Sequence, residues 1–329
     1  MRRAIQLLVL FIAVAGCNSS AKSGAGSAGK KYRIAVVPKG TTHVFWKSVH
    51  AGALKAAKEL GNVEISWNGP MNEGDREGQI TLVQNFIAGE VDGLVLAPLD
   101  RTALVPFVRD AKQSGVPTVI FDSALDPKAN DLIVSYVATD NYHGGVLAAR
   151  ELSRRLKGKG NVILLRYAAG SESTEQREQG FLDTLKKESP KIQILSDNQY
   201  SGTTLGSAFD VSLQLLNSFG NKVDGIFTVG EPLTIGMLKA LKQEGLAGKV
   251  MFIGFDSSFE AINGMRAGQV HGIVLQDPVN MGYTSVKTIV AHLQGQTVAK
   301  RIPTGEAVAT PENMDEPKMK RLLSPEQAD

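Results

Sequence analysis

The chain has 329 residues, 43% hydrophobic, 21% charged and 6% aromatic, which excludes a mostly disordered protein. Its one Cys excludes a fold built on disulfides. The formal charge of +3 includes Arg2 and Arg3; the remaining 34 basic residues face 33 acidic ones, so charge gives no argument for a nucleic-acid partner.

The N-terminus reads Met1-Arg2-Arg3, then an apolar run from Ala4 to Ala15 broken by Gln6, then Gly16-Cys17. A basic start and a short apolar stretch describe a secretory signal. The run falls short of the ~20 residues of a membrane span. Val14-Ala15-Gly16-Cys17 resembles a bacterial lipobox, whose Cys is acylated and becomes the new N-terminus. The resemblance implies a signal peptide over 1–16 and a lipid anchor on Cys17, each buried CH2 contributing ~0.8 kcal/mol. Residues 17–31 read as the lipidated Cys and a flexible tether rich in Ser, Gly, Ala and Lys. Within it, Gly24-Ala25-Gly26-Ser27-Ala28-Gly29 has the letters of a dinucleotide fingerprint, and 24–30 nearly spells a phosphate loop. Both motifs work between a strand and a helix start. Here the glycines precede the first strand, so no nucleotide cofactor is expected.

From Tyr32 onward, short apolar runs alternate with longer amphipathic ones. Strands are expected at 34–37, 63–67, 93–96, 117–121, 161–165, 193–195, 225–228, 251–254 and 272–275. Helices are expected at 45–60, 77–88, 104–114, 142–156, 174–188, 205–219, 232–244, 259–266 and 282–293. In the first helix Phe45, Val49, Ala53, Ala56, Ala57 and Leu60 recur at helical spacing. Continuous apolar strands between helices predict α/β architecture with doubly wound parallel sheets covered on both faces.

The chain also resembles itself. Val91-Asp92-Gly93-Leu94 recurs as Val223-Asp224-Gly225-Ile226, and Phe121-Asp122-Ser123 as Phe255-Asp256-Ser257. Ile34 and Val36 match Ile163 and Leu165, and Glu59 through Ile65 aligns with Glu188 through Ile194, all at offsets of 129 to 134 residues. A period this long is a domain duplication, not a solenoid. Ligands of open parallel sheets bind beyond the carboxyl ends of the strands. Asp122 and Asp256 each follow such an end, so the two carboxylates are expected to line one cleft between facing domains.

At these residues the sequence resembles the periplasmic sugar-binding proteins of the ribose-binding type (type I fold), over about residues 32–310. The resemblance rests on Ile34-Ala35-Val36-Val37 before Phe45-Trp46 and Gly52-Ala53, on Gly93-Leu94-Val95-Leu96-Ala97-Pro98, on Pro117 through Asp122, and on Asp140-Asn141 with Gly144-Gly145. The second half adds Arg177 with Gly180-Phe181, Gly254-Phe255-Asp256 and Gln276-Asp277-Pro278. It implies two similar α/β domains joined by a three-strand hinge near 138–140, 276–277 and 303–305. The domains would be 32–138 plus 277–304 and 139–276 plus 305–312, followed by a polar tail over 313–329.

Carried over residue by residue, the resemblance gives Phe45 and Trp46 the role of rings that stack on a sugar's C–H face. Asp122 would take two hydroxyls, Arg177 would donate in fork geometry, Tyr200 would stack from the other domain, and Asp256 and Gln276 would complete the polar ring. The chain departs from the ribose pattern at Ser123, where Arg is usual, and at Gly230-Glu231, where Asn-Asp is usual. Lys39 and His43 stand where small polar groups or Asn are usual, and Arg166 is a further cleft candidate. These departures argue against ribose and for a larger or differently substituted sugar. An anionic group would suit Lys39, His43 and Arg177.

The implied function is the substrate-binding lipoprotein of an ABC importer: a monomer facing the periplasm or cell surface, closing on a sugar or polyol and serving a permease with its ATPase. A sensor that presents its ligand to a membrane receptor would use the same fold. A repressor would need a helix-turn-helix of ~60 residues before the first strand, where only 31 residues stand. Enzyme signatures are lacking: there is no Gly-x-Ser-x-Gly elbow, and the five His (43, 50, 143, 271 and 292) have no metal-ligand spacing. Two cleft carboxylates could serve a glycosidase, but the resemblance favours binding without chemistry, with no metal or cofactor.

Overall fold

The computed structural model describes residues 30–325. The expected signal peptide, Cys17, the glycine motif at 24–29 and nearly all of the tether lie outside the described residues. The chain runs β1 (Tyr32–Val37), α1 (Val44–Leu60), β2 (Val63–Trp67), α2 (Arg76–Ala88), β3 (Gly93–Leu96), α3 (Val105–Gln113), β4 (Thr118–Phe121) and β5 (Ser135–Ala138). It continues with α4 (Asn141–Arg155), β6 (Lys159–Arg166), α5 (Glu172–Glu188), β7 (Lys191–Tyr200), α6 (Leu205–Phe219), β8 (Gly225–Thr228), α7 (Glu231–Gln243), β9 (Met251–Phe255), α8 (Phe259–Arg266) and β10 (Gly272–Gln276). Last come α9 (Pro278–Leu293), β11 (Arg301–Pro303), β12 (Glu306–Ala309) and α10 (Pro317–Leu323).

The strands form two six-stranded sheets, ordered β2-β1-β3-β4-β5-β11 and β7-β6-β8-β9-β10-β12. The second order is the first with each strand replaced by its counterpart, so the internal repeat of the sequence is a repeat of topology. Both sheets are parallel except for β12, which pairs antiparallel with β10. The β1 side chains show why continuous apolar strands suit this arrangement. Ile34 and Val36 enter the core under α1 and α9, while Ala35 and Val37 enter the opposite core under α2 and α3.

The sequence did not signal β5, β11 or β12, which are short and mix polar with apolar residues. These three lie where the chain passes between the sheets: from β5 to α4, from β10 to α9, and from β11 to β12. The two passages that lead into helices use the same cap. Asp140 accepts from His143 N at 3.0 Å at the start of α4, and Asp277 accepts from Asn280 N at 3.1 Å at the start of α9. The expectation of a polar tail from 313 is corrected: α10 buries Met319, Leu322 and Leu323, with Met314, in the core of the second lobe. Their apolar character was readable, but too few residues were present to show a helical period.

Each lobe has one tight helix crossing made by two glycines. A Cβ on Gly52 would lie 2.0 Å from Val279 O, and one on Gly282 2.0 Å from Val49 O, where α1 crosses α9. A Cβ on Gly145 would lie 2.0 Å from Arg177 O, and one on Gly180 2.0 Å from Tyr142 O, where α4 crosses α5. The second crossing sets the backbone of Arg177. Gly145→Val is therefore expected to lower stability by about 1–3 kcal/mol or more through overpacking and to weaken ligand binding with it. A thermal melt matching the unsubstituted protein would contradict this.

Candidate functional site between the two lobes

The carboxyl ends of both sheets face one narrow cavity of about 30 Å³ between the closed lobes. Lys39, His43, Phe45, Trp46 and Asp122 line it from the first lobe; Arg177, Glu231, Asp256 and Gln276 line it from the second. Glu73, Tyr167, Ser173 and Thr174 line it as well.

The first-lobe wall is held from behind by the buried Gln79 on α2. Its amide donates to Pro38 O at 3.0 Å and Ala97 O at 2.8 Å and accepts from Leu99 N at 2.9 Å, which fixes the loops after β1 and β3. From the first of these loops Lys39 Nζ lies 3.0 Å from Asp122 Oδ2 and donates to Ser173 Oγ at 2.9 Å across the cleft. Asp122 and Asp256 both adopt positive φ, 62° and 66°, at equivalent points after β4 and β9. Asp tolerates this left-handed region better than most residues. The shared turn leaves both carboxylates among the cavity walls.

Trp46 is buried against Phe121, with ring centroids 6.1 Å apart, and also lines the cavity beside Phe45. Core packing and a cleft position are thus compatible for this residue. Its Nε1 donates to Glu73 Oε1 at 2.8 Å, and His43 Nδ1 lies 2.9 Å from the same oxygen. Burial disfavours charge on both His43 and Glu73. The hydrogen bond and mutual attraction outweigh it, raising His43 to about 9 and lowering Glu73 to about 2.

The sign of the linkage follows from those directions. The Glu73 contribution is present above its ordinary value of 4.5 and is lost as pH falls toward 2. The His43 contribution is complete below 6.5 and is lost as pH rises through about 9. Stability from the pair is therefore greatest between about pH 4.5 and 6.5. Melting temperature is expected to fall between pH 6.5 and 9, and His43→Gln to flatten that fall; an unchanged slope in the variant would contradict the pairing.

In the second lobe Arg177 on α5 donates from Nε to Asn141 Oδ1 and from Nη1 to Val229 O, each at 2.9 Å. Its guanidinium lies 3.8 Å from the centroid of the Phe255 ring and 3.9 Å from Asp256 Oδ2. Burial pushes Asp256 up from its ordinary value, against the pull of Arg177 and Gln276. Gln276 Nε2 donates to Asp256 Oδ1 at 2.7 Å, and its Oε1 accepts from Thr139 Oγ1 at 2.8 Å, so two of the crossing segments are tied together beside the cavity.

The lobes are closed on each other. Besides the Lys39–Ser173 bond, Tyr167 OH donates to Glu73 Oε2 at 2.9 Å, Ser173 N to Ser123 Oγ at 3.1 Å and Ala124 N to Glu172 Oε2 at 3.0 Å. Ser123 therefore stands beside the cavity and bonds the opposite lobe.

The structure does not bring Tyr200 to the site. It ends β7 at the sheet edge, 48% exposed, with Arg166 5.8 Å from its ring centroid. Arg166 also points away, toward Glu178 and Asp197 O. The next residue, Tyr167, faces the cleft instead, because successive side chains at a strand end alternate sides. The expectation of an anionic ligand loses its basis: Lys39, His43 and Arg177 all face the cavity, but each already has a carboxylate partner. Glu73 and Tyr167 were missed. Tyr167 had a positional signal, since it directly follows the carboxyl end of the central strand β6; Glu73, in the loop after the edge strand β2, had none.

The periplasmic binding protein domain matches residues 34–297 of this chain. A D-ribose/D-allose-binding protein of Pseudomonas aeruginosa is 30% identical over 82% of this chain and 84% of its own length. Among solved structures, an ABC transporter solute-binding protein from Agrobacterium vitis with bound D-fucose is 35% identical, with a TM-score of 0.85 over 88% of this chain and 99% of that one. A carbohydrate transporter solute-binding protein from Agrobacterium radiobacter in complex with D-arabinose is 33% identical, with a TM-score of 0.84 over 89% of this chain and 99% of that one. The fold and the cleft define a two-lobed binding protein with its site between duplicated α/β halves. The chain belongs to the periplasmic binding protein family.

Proposed function

We propose that this protein is the sugar-binding component of an ABC importer, acting by binding and release without chemistry. The observation that carries the reading is the cavity itself. It has aromatic rings on one wall and charged side chains converging from both lobes. The sugar-bound structures of similar proteins support the same ligand class. Each carboxylate that follows an equivalent strand end is held by a cation, Asp122 by Lys39 and Asp256 by Arg177. Such anchored groups suit hydroxyl recognition better than proton shuttling.

The mechanism is hinge closure about the segments at 139–140, 276–277 and 304–305, with the lobes bounded as the sequence implies except that α10 joins the second. A ligand held by Asp122 on one side and by Arg177 and Asp256 on the other bridges the lobes and stabilises the closed state. The protein is exported, anchored through a lipid on Cys17, monomeric, and delivers its ligand to a permease with its ATPase. No helix of the described residues is long and apolar enough to cross a membrane; the anchor is read from the lipobox Val14-Ala15-Gly16-Cys17.

A thermal-shift screen of the unlipidated protein against pentoses, hexoses, polyols and sugar acids tests the reading. A ligand at 100 times its Kd adds about 2.7 kcal/mol of stability, and the sugar is expected to be recovered unchanged after long incubation. No stabilisation by any member of the panel, or accumulation of a hydrolysis product, would overturn it.

A further inference from the structure

Four carboxylates line the cavity, and three have a cationic partner there: Asp122 has Lys39 at 3.0 Å, Glu73 has His43 at 2.9 Å and Asp256 has Arg177 at 3.9 Å. Glu231 is the fourth. It begins α7, is only 8% exposed, and its carboxyl takes the backbone N–H groups of Phe45 and Val44 where α1 starts in the other lobe. Its Oε2 is buried with no hydrogen-bond partner. The nearby His43 ring is committed through Nδ1 to Glu73, and Asp256 adds a second negative charge close by.

We propose that the ligand carries a protonated amine, as an amino sugar or aminocyclitol does, and that Glu231 Oε2 receives it. The inference rests on the reading of the cavity as a polyol site. A buried carboxylate without a countercharge is unfavourable. A hydroxyl gives it one donor and no charge. An ammonium gives up to three donors and the missing positive charge in one charge-assisted contact. With Glu231 ionised, four carboxylates face three cations and a monocation balances the closed cavity, whereas a sugar acid would deepen the imbalance. Burial pushes the Glu231 carboxyl up to about 7, although His43 pulls it down, as expected for an acid whose neighbours do not compensate its charge.

Matched pairs test the assignment by isothermal titration: galactosamine with galactose, glucosamine with glucose, mannosamine with mannose, and scyllo-inosamine with scyllo-inositol, plus the N-acetyl form of each amine. In the best-binding pair the amine is expected to bind at least about tenfold tighter than its neutral parent, a difference of ~1.4 kcal/mol. N-acetylation should abolish the preference, and Glu231→Gln, which keeps the shape and an acceptor, should bring the pair within about threefold. Neutral parents binding as tightly as their amines, or a preference unchanged in Glu231→Gln, would overturn the amine while leaving the sugar reading intact. No binding by any member of the set would overturn both.

Discussion

Asp122→Asn is expected to lose most of the ligand affinity while both lobes stay folded. Asn tolerates the left-handed backbone at this position, where φ is 62° and Ala would add strain. The substitution therefore isolates the charge. Two effects act together. The amide accepts fewer and weaker hydrogen bonds from ligand hydroxyls than a carboxylate, and it leaves Lys39 Nζ, 3.0 Å away and buried in the closed cleft, without its counterion. Truncating one partner of a buried charge pair weakens binding by about 2–5 kcal/mol. An open cleft would admit water to Lys39, so the penalty falls on closure and not on the fold. Calorimetry should show the loss, and a thermal melt without ligand should shift little. Unchanged affinity would refute the placement of Asp122 in the site.

Arg177→Ala should differ from it in kind, by removing binding and weakening the second lobe at once. The guanidinium holds Asn141 Oδ1, Val229 O and the face of Phe255, in addition to its place beside Asp256. Its loss leaves two buried acceptors unpaired, at about 1–3 kcal/mol each, and removes a buried cation–π contact of about 2 kcal/mol. Arg177→Lys is no rescue, because one ammonium cannot reproduce the planar fork that spans Asn141 and Val229. The expected result is no measurable binding together with a clear drop in melting temperature. A variant that binds normally, or that loses binding at unchanged stability, would contradict the shared role.

These two residues show what the sequence made legible. Asp122 and Asp256 were found through their equivalent positions after repeated Phe-Asp-Ser motifs, and the sheets place them symmetrically because the duplication preserved strand order. The central strands β1, β3, β4, β6, β8, β9 and β10 could be read because they are largely buried on both faces, and the edge strands β2 and β7 by their shorter apolar stretches between helices. The crossing strands β5, β11 and β12 could not, since they are short and stabilised by neighbours distant in sequence, as when β11 pairs with β5. The cavity's residue types were readable but their pairing was not. Nothing local indicates that His43 is neutralised by Glu73 or Lys39 by Asp122, and the unpaired residue, Glu231, emerges only once the lobes are closed. Tyr200 failed for a related reason: β7 runs further than its apolar residues suggest and carries the ring out along the sheet edge.

The central claim is that a sugar-sized ligand sits between the lobes and holds them together. A crystal structure of the protein grown with the sugar that most raises its melting temperature tests this directly. The account predicts the ring inside the cavity against Phe45 and Trp46, with polar groups on Asp122 from one lobe and on Arg177 and Asp256 from the other. A ligand bound outside the cleft, or touching one lobe alone, would contradict it.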